Sequence, residues 1–157
     1  DNIKKIIPEC SISQDLIAGF PTETEEDHKD TLSLMDYVQY HFGFMFSYSE
    51  RPGTLAERKL EDDISEEVKL RRLQEIIEKQ RVHSRHRTAG YKDKTVCVLI
   101  ERESKKSEFQ WSGRTSQNTV VVFPKEHYKV GDFVDVKIND CTSATLIGIP
   151  LRISETI

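Results

Sequence analysis

Three cysteines are the first residues to weigh, because thiolates hold metals and carry redox chemistry. Cys10, Cys97 and Cys141 stand far apart in the chain. None belongs to a C-x-x-C pair and their number is odd, which argues against a disulfide framework and against a zinc site of the usual spacing. They read as thiols packed like small apolar residues. Other chemistry-bearing residues fall in three stretches. In Gly19-Phe20-Pro21-Thr22-Glu23, the glycine allows a backbone to approach a ligand with no Cβ in the way. Phe20 and Pro21 suit the wall of an apolar pocket, and Glu23 lies near the start of a helix. Arg51-Pro52-Gly53 is a turn of ordinary kind, but an arginine there can hold a carboxylate or phosphate by a two-toothed contact. In the third stretch Phe109, Trp111 and Phe123 are aromatics able to stack on unpaired bases. Arg102, Lys105, Lys106 and Arg114 can follow phosphates, and Asn118 can read a base edge. Plainer uses compete: a small barrel needs aromatics in its core, Asn118 suits a left-handed turn, and Lys105-Lys106 suits a hairpin tip in water.

The elements that must position these residues change character along the chain. Ser13 to Gly19 is a short apolar run that reads as a strand entering a loop. Thr22, three residues before Glu25, has capping-box spacing, and acidic residues crowd the first turn that follows. Leu32, Leu34, Met35 and Val38 supply the apolar face of a helix to about Tyr40. Gly43 to Tyr48 reads as a second strand, so strand, helix and strand form one βαβ unit with a parallel pair. Ser65 is placed to cap a longer helix with Leu70, Leu73, Ile76 and Ile77 at spacings of three and four. Glu67–Arg71 and Glu75–Lys79 have the spacing of ion pairs one turn apart. Near Gly90 the period becomes two, as in Val96, Val98, Ile100 and again Val134, Val136, Ile138. Turn residues at Gly113, Asn118, Pro124, Gly131 and Asn139-Asp140 punctuate about five strands, which suggests a small closed barrel of the oligonucleotide-binding kind.

The 157 residues suffice for one medium domain or two small ones. With 36% apolar and 32% charged residues the chain is polar but able to build a core. Its longest apolar runs are too short to cross a bilayer, and Asp1 to Cys10 lacks the apolar region of a signal peptide. A cytoplasmic location is the expectation. The net charge of −4 divides unevenly: residues 1–87 hold 13 Lys and Arg against 18 Asp and Glu, and residues 88–157 hold 10 against 9. Any basic face on the second half is therefore local.

Three stretches together carry a family resemblance. Asp15-Leu-Ile-Ala-Gly-Phe-Pro-Thr-Glu-Thr-Glu-Glu-Asp27 resembles a stretch of the methylthiotransferase branch of radical-SAM enzymes. Tyr48-Ser-Glu-Arg-Pro-Gly-Thr54 is similar to that family's next-strand motif. Ser112-Gly-Arg-Thr-Ser-Gln-Asn118, with Val120–Phe123 and Val130–Val136, resembles its terminal TRAM domain. The resemblance implies an α/β remnant of a radical-SAM partial TIM barrel with its connecting helix over residues 1–90. A small all-β TRAM barrel, OB-like, would follow over 91–157. It further implies that Gly19, Phe20, Pro21, Glu23 and Arg51 line an S-adenosylmethionine pocket, and that the barrel binds the anticodon stem-loop of a tRNA.

Arg51-Pro52 fits the tRNA-modifying branch, since relatives that act on a ribosomal protein carry acidic residues there. The resemblance favours methylthiolation of an isopentenylated adenosine beside the anticodon. A methylthiotransferase for threonylcarbamoyladenosine shares the Y-S-x-R-P-G-T turn and is the nearest alternative. A binding-only protein with a TRAM barrel on a helical stalk is the alternative of another class. The family's chemistry uses S-adenosylmethionine and two 4Fe-4S clusters, each held by three cysteines, and cluster iron demands thiolates. Neither cysteine set occurs here, so the chain is expected to be an inactive piece of a longer, monomeric enzyme. No catalytic residue, metal ligand or bound cofactor is expected in it.

Overall fold

Acidic side chains at a helix start and alternating apolar residues in strands dictate most of what the computed structural model shows for residues 2–155. The chain divides into two compact units, one of Ile12–Ser84 and the other of the described residues before Ile12 together with those from Arg85 onward. The expected boundary at 90–91 differs from this division, which falls inside a long helix. A short helix, α1 (Asn2–Ile6), precedes the first unit.

In the first unit β1 (Ser13–Ala18) and β2 (Phe42–Ser47) pair in parallel, from Ser13 opposite Phe42 to Ala18 opposite Ser47. Between them runs α2 (Glu25–Val38). Its cap is Thr24 rather than Thr22: the Asp27 N–H donates to Thr24 Oγ1 at 3.1 Å and the Thr24 N–H donates to Asp27 Oδ2 at 2.9 Å. Thr22 instead has φ +73° and donates its N–H to Asp63 at 2.8 Å. A short helix, α3 (Leu55–Lys59), follows β2 and is capped by Thr54.

The long helix α4 (Glu66–Ala89) starts where Ser65 predicts. Ala18, Met35 and Ile76 form a small core with Leu16, Leu32, Tyr40, Met45 and Leu73 packed on it. The opposite sheet face is open, with Ile17, Phe42, Phe44 and Phe46 exposed. The buried stripe of α4 is not the one its leucines suggest. Leu70 is exposed, whereas Lys69, Arg72, Gln80 and His83 are buried with Ile76. Ion pairing follows this rotation: Arg71 pairs with Glu25 and Glu75, and Lys79 with Asp36.

The second unit is a closed five-stranded barrel in the order β3-β4-β5-β7-β6. Its strands are β3 (Thr95–Ser104), β4 (Ser107–Arg114), β5 (Val120–Pro124), β6 (Phe133–Cys141) and β7 (Thr145–Ile153). β5 and β7 are parallel and the other neighbours antiparallel. Inward residues Val98, Ile100, Val121, Phe123, Val134, Val136, Ile138 and Leu146, joined by Tyr128, build the core. Gly113 marks a tight crossing, since a Cβ there would lie 2.2 Å from the Leu99 carbonyl oxygen.

Candidate nucleic-acid and cofactor surfaces

At the C-terminal ends of the parallel strands the chain turns sharply, as a βα turn must when acidic residues open the next helix. Gly19 has φ +73° and is buried; its N–H donates to the Glu23 carboxylate. The space its missing Cβ leaves is filled: an added Cβ would lie 2.3 Å from Lys69 Cγ. Gly19 is thus required by a backbone turn and by the lysine stem. Lys69, only 1% exposed, reaches Asp62 at 2.6 Å and Glu66 at 2.8 Å, and lies 5.6 Å from the centre of the Tyr48 ring. The hydrogen bond to Asp62, then that to Glu66, raises the lysine pKa against the opposing pull of burial.

Glu23 is drawn inward as well. Arg72 lies 3.4 Å from its carboxylate, donates to its carbonyl oxygen at 2.9 Å, and also reaches Glu25 at 3.2 Å. His28, fully buried, bonds Glu75 through Nε2 at 2.8 Å, while its Nδ1, 3.9 Å from Glu23, lacks a hydrogen-bond partner. Bonding to Arg71, above all, lowers the Glu25 pKa to about 2. Bonding to His28 lowers that of Glu75. Pro21 is buried, whereas Phe20 is partly exposed and meets Tyr48 edge-on at 5.2 Å. Arg51 is exposed, and its carbonyl oxygen accepts from the Thr54 hydroxyl at 2.9 Å. These positions thus lie on the turns just after β1 and β2, but Gly19 and Glu23 are engaged internally. Of these positions Phe20 and Arg51 are the exposed ones. Lys69, Arg72 and His28, which organise this end, escaped the sequence reading because charged residues on an amphipathic helix are assigned to its solvent face.

Iron–sulfur ligation needs converging thiolates. Cys10, Cys97 and Cys141 are half-buried, and among the described residues no three His, Cys, Asp or Glu side chains converge to hold a metal ion. The donor set of this chain does not fit a cluster.

The barrel sorts the nucleic-acid candidates by exposure. Phe123, expected from the sequence to stack on bases, is instead fully buried in the core, so its ring cannot stack on a base without opening the barrel. Trp111, opposite Phe123 in the ladder, is half-buried against the same core. Lys125 lies 4.5 Å from the Trp111 ring centre and pairs with Glu103, so this aromatic is covered by a cation of its own chain. Arg114 is spent on its own loop, donating to Asn118 Oδ1 at 2.8 Å and the Asn118 carbonyl at 3.1 Å, with Glu101 at 3.3 Å. Asn118 takes the left-handed conformation, φ +62°. Arg102, Lys105, Lys106 and Phe109 remain exposed on β3, β4 and the hairpin joining them.

Residues 90–151 match the TRAM domain. Among curated proteins, the chain is 68% identical to a Christiangramia forsetii protein named tRNA-2-methylthio-N(6)-dimethylallyladenosine synthase, over 99% of this chain and 32% of that one. The Flavobacterium psychrophilum protein of the same name is 63% identical over 99% and 32%. That from Karelsulcia muelleri is 52% identical over 94% and 33%. The chain spans about a third of the length of these relatives. The chain is thus similar along nearly its whole length to one third of proteins named tRNA-2-methylthio-N(6)-dimethylallyladenosine synthase, and it contains a TRAM domain.

Proposed function

We propose that this chain is the part of a tRNA methylthiotransferase that grips the anticodon stem-loop and completes one wall of the cofactor site. The observation that carries the reading is similarity at up to 68% identity over nearly the whole chain to proteins named for that synthase. Residues 1–90 are read as part of a radical-SAM α/β barrel and 91–157 as its TRAM domain. An open face of Ile17, Phe42, Phe44 and Phe46 supports this, because a parallel sheet in an α/β barrel is normally covered on both faces. When bound, S-adenosylmethionine would supply both the methyl group and, with a cluster held elsewhere in the enzyme, a radical. In this chain Phe20 and Arg51 would contact the cofactor, while Gly19, Pro21 and Glu23 set the shape of the turn. The substrate would be an isopentenylated adenosine beside the anticodon, in the cytoplasm. Among the described residues no helix is long and apolar enough to cross a membrane.

Titrating the 157-residue chain with tRNA over a range of salt concentrations tests the gripping role. Binding is expected to be weak, because the Lys and Arg of residues 88–157 are nearly balanced by Asp and Glu, and to fall as salt rises. No binding at the lowest salt, by a chain with native circular dichroism, would overturn it.

A further inference from the structure

Within the reading that the barrel grips RNA, we infer that Phe109 is a stacking platform for one unpaired base, with Lys105 and Lys106 holding the adjoining phosphates. The β3–β4 ladder pairs Ser104 with Ser107 but Glu103 with Trp111, so β4 carries residues 108–110 with no counterpart on β3. This bulge directs the Phe109 ring outward, 75% exposed. Its backbone is nonetheless held: the Phe109 N–H donates to Ser107 Oγ at 3.3 Å, and the Lys125 N–H donates to the Phe109 carbonyl at 2.9 Å. With its backbone already held, this exposed apolar ring has little main-chain freedom to lose on meeting a partner, which suits a face that waits for one.

Residues 103–109 line an open pocket of about 480 Å³ at this place. Of its charged groups, Glu103 is neutralised by Lys125, which leaves Lys105 and Lys106 against Glu108. A π face beside a slight positive excess matches a single-stranded nucleotide, in which every base offers a ring and every link a negative charge. Duplex RNA offers no free base face, so it is excluded from this subsite. The other two aromatics cannot serve, since Phe123 is in the core and Trp111 lies half-buried beneath Lys125.

The probe is a short RNA hairpin with 2-aminopurine in its unpaired loop, titrated with the full chain, with a blunt duplex of the same composition as comparison. The wild type should bind the hairpin in preference to the duplex and quench the fluorophore by stacking. F109A should lose most of the quenching and about five-fold or more in affinity. F109W should restore both, which loss of fold or of a packing contact would not explain. Replacing Lys105 and Lys106 together by Ala should keep the quenching at saturation while flattening the salt dependence by roughly one to one and a half units of logarithmic slope. If the wild type binds the hairpin but F109A binds and quenches equally well, the platform is refuted while RNA binding stands. If the wild type binds neither RNA, the platform and the gripping role fall together.

Discussion

Replacing Gly19 by Ala should destabilise the α/β unit through two separable effects. An alanine at φ +73° takes a left-handed conformation that costs about 1–2 kcal/mol. The new methyl also meets Lys69 Cγ at 2.3 Å, with Lys69 Cβ at 3.0 Å and Cα at 3.3 Å. Overpacking of this kind costs about 1–3 kcal/mol, so G19A should lose about 2–5 kcal/mol in all. Shortening Lys69 to Ala removes the closest atom and leaves Cβ at 3.0 Å, a tight contact that a shift of a few tenths of an ångström relieves. In the K69A background G19A should therefore cost only the conformational part, about 1–2 kcal/mol. The cost of K69A itself cancels in the cycle. Urea unfolding followed by far-ultraviolet circular dichroism suits the measurement, because α2 and α4 dominate that signal. Equal losses in both backgrounds, or a G19A loss under about 0.5 kcal/mol, would show that Gly19 is not held by the lysine stem.

Acid should weaken the α/β unit in a defined window. The carboxylates of Glu25, Asp27, Asp36 and Glu75 are held below their usual values, chiefly by bonds to Arg71, Thr24, Lys79 and His28 respectively. Their support is whole above the usual carboxylate range, near pH 4.5 for Glu, and is lost as pH falls through the folded values, about 2 for Glu25. Lys69 acts in the opposite sense: its support is whole below pH 10.5 and is lost as pH rises through its raised value. Urea midpoints of the helical signal should thus fall on acidification from pH 5, and an acid-independent midpoint would contradict the network. In the barrel, F123A should cost about 3–5 kcal/mol in thermal or urea unfolding, the usual loss for a large core aromatic. F109A should cost about 0.5 kcal/mol or less, since that ring is in water; similar losses in the two variants would refute the division between core and surface.

How far these features were legible in the sequence follows from how each residue signals its surroundings. The βαβ unit and the barrel announce themselves because helix and strand periods differ and turn residues fall between them. Val120-Val121-Val122-Phe123 carries no phase, since every position is apolar, so its burial pattern could not tell Phe123 from an outward aromatic. Phe109 and Trp111 share parity, and only the bulge at 108–110 separates their environments. On α4 the buried side is built from Lys69, Arg72, Gln80 and His83. A helix that buries polar groups against the partners of another segment has no apolar stripe to reveal which side is inside. Thr22 and Thr24 each precede an acidic residue by three, so spacing alone does not separate Thr22 from the true cap, Thr24.

The most direct test of the proposed role is nucleoside analysis of a chimera. The matching third of the Christiangramia forsetii relative would be replaced by this chain and produced in cells lacking their own methylthiotransferase, and their tRNA digested for mass spectrometry. Restored 2-methylthio-N6-dimethylallyladenosine, and its loss when Arg51 is changed to Ala in the folded chimera, is the expected result. A folded, cluster-loaded chimera that leaves dimethylallyladenosine unmodified, or that methylthiolates threonylcarbamoyladenosine instead, would contradict it.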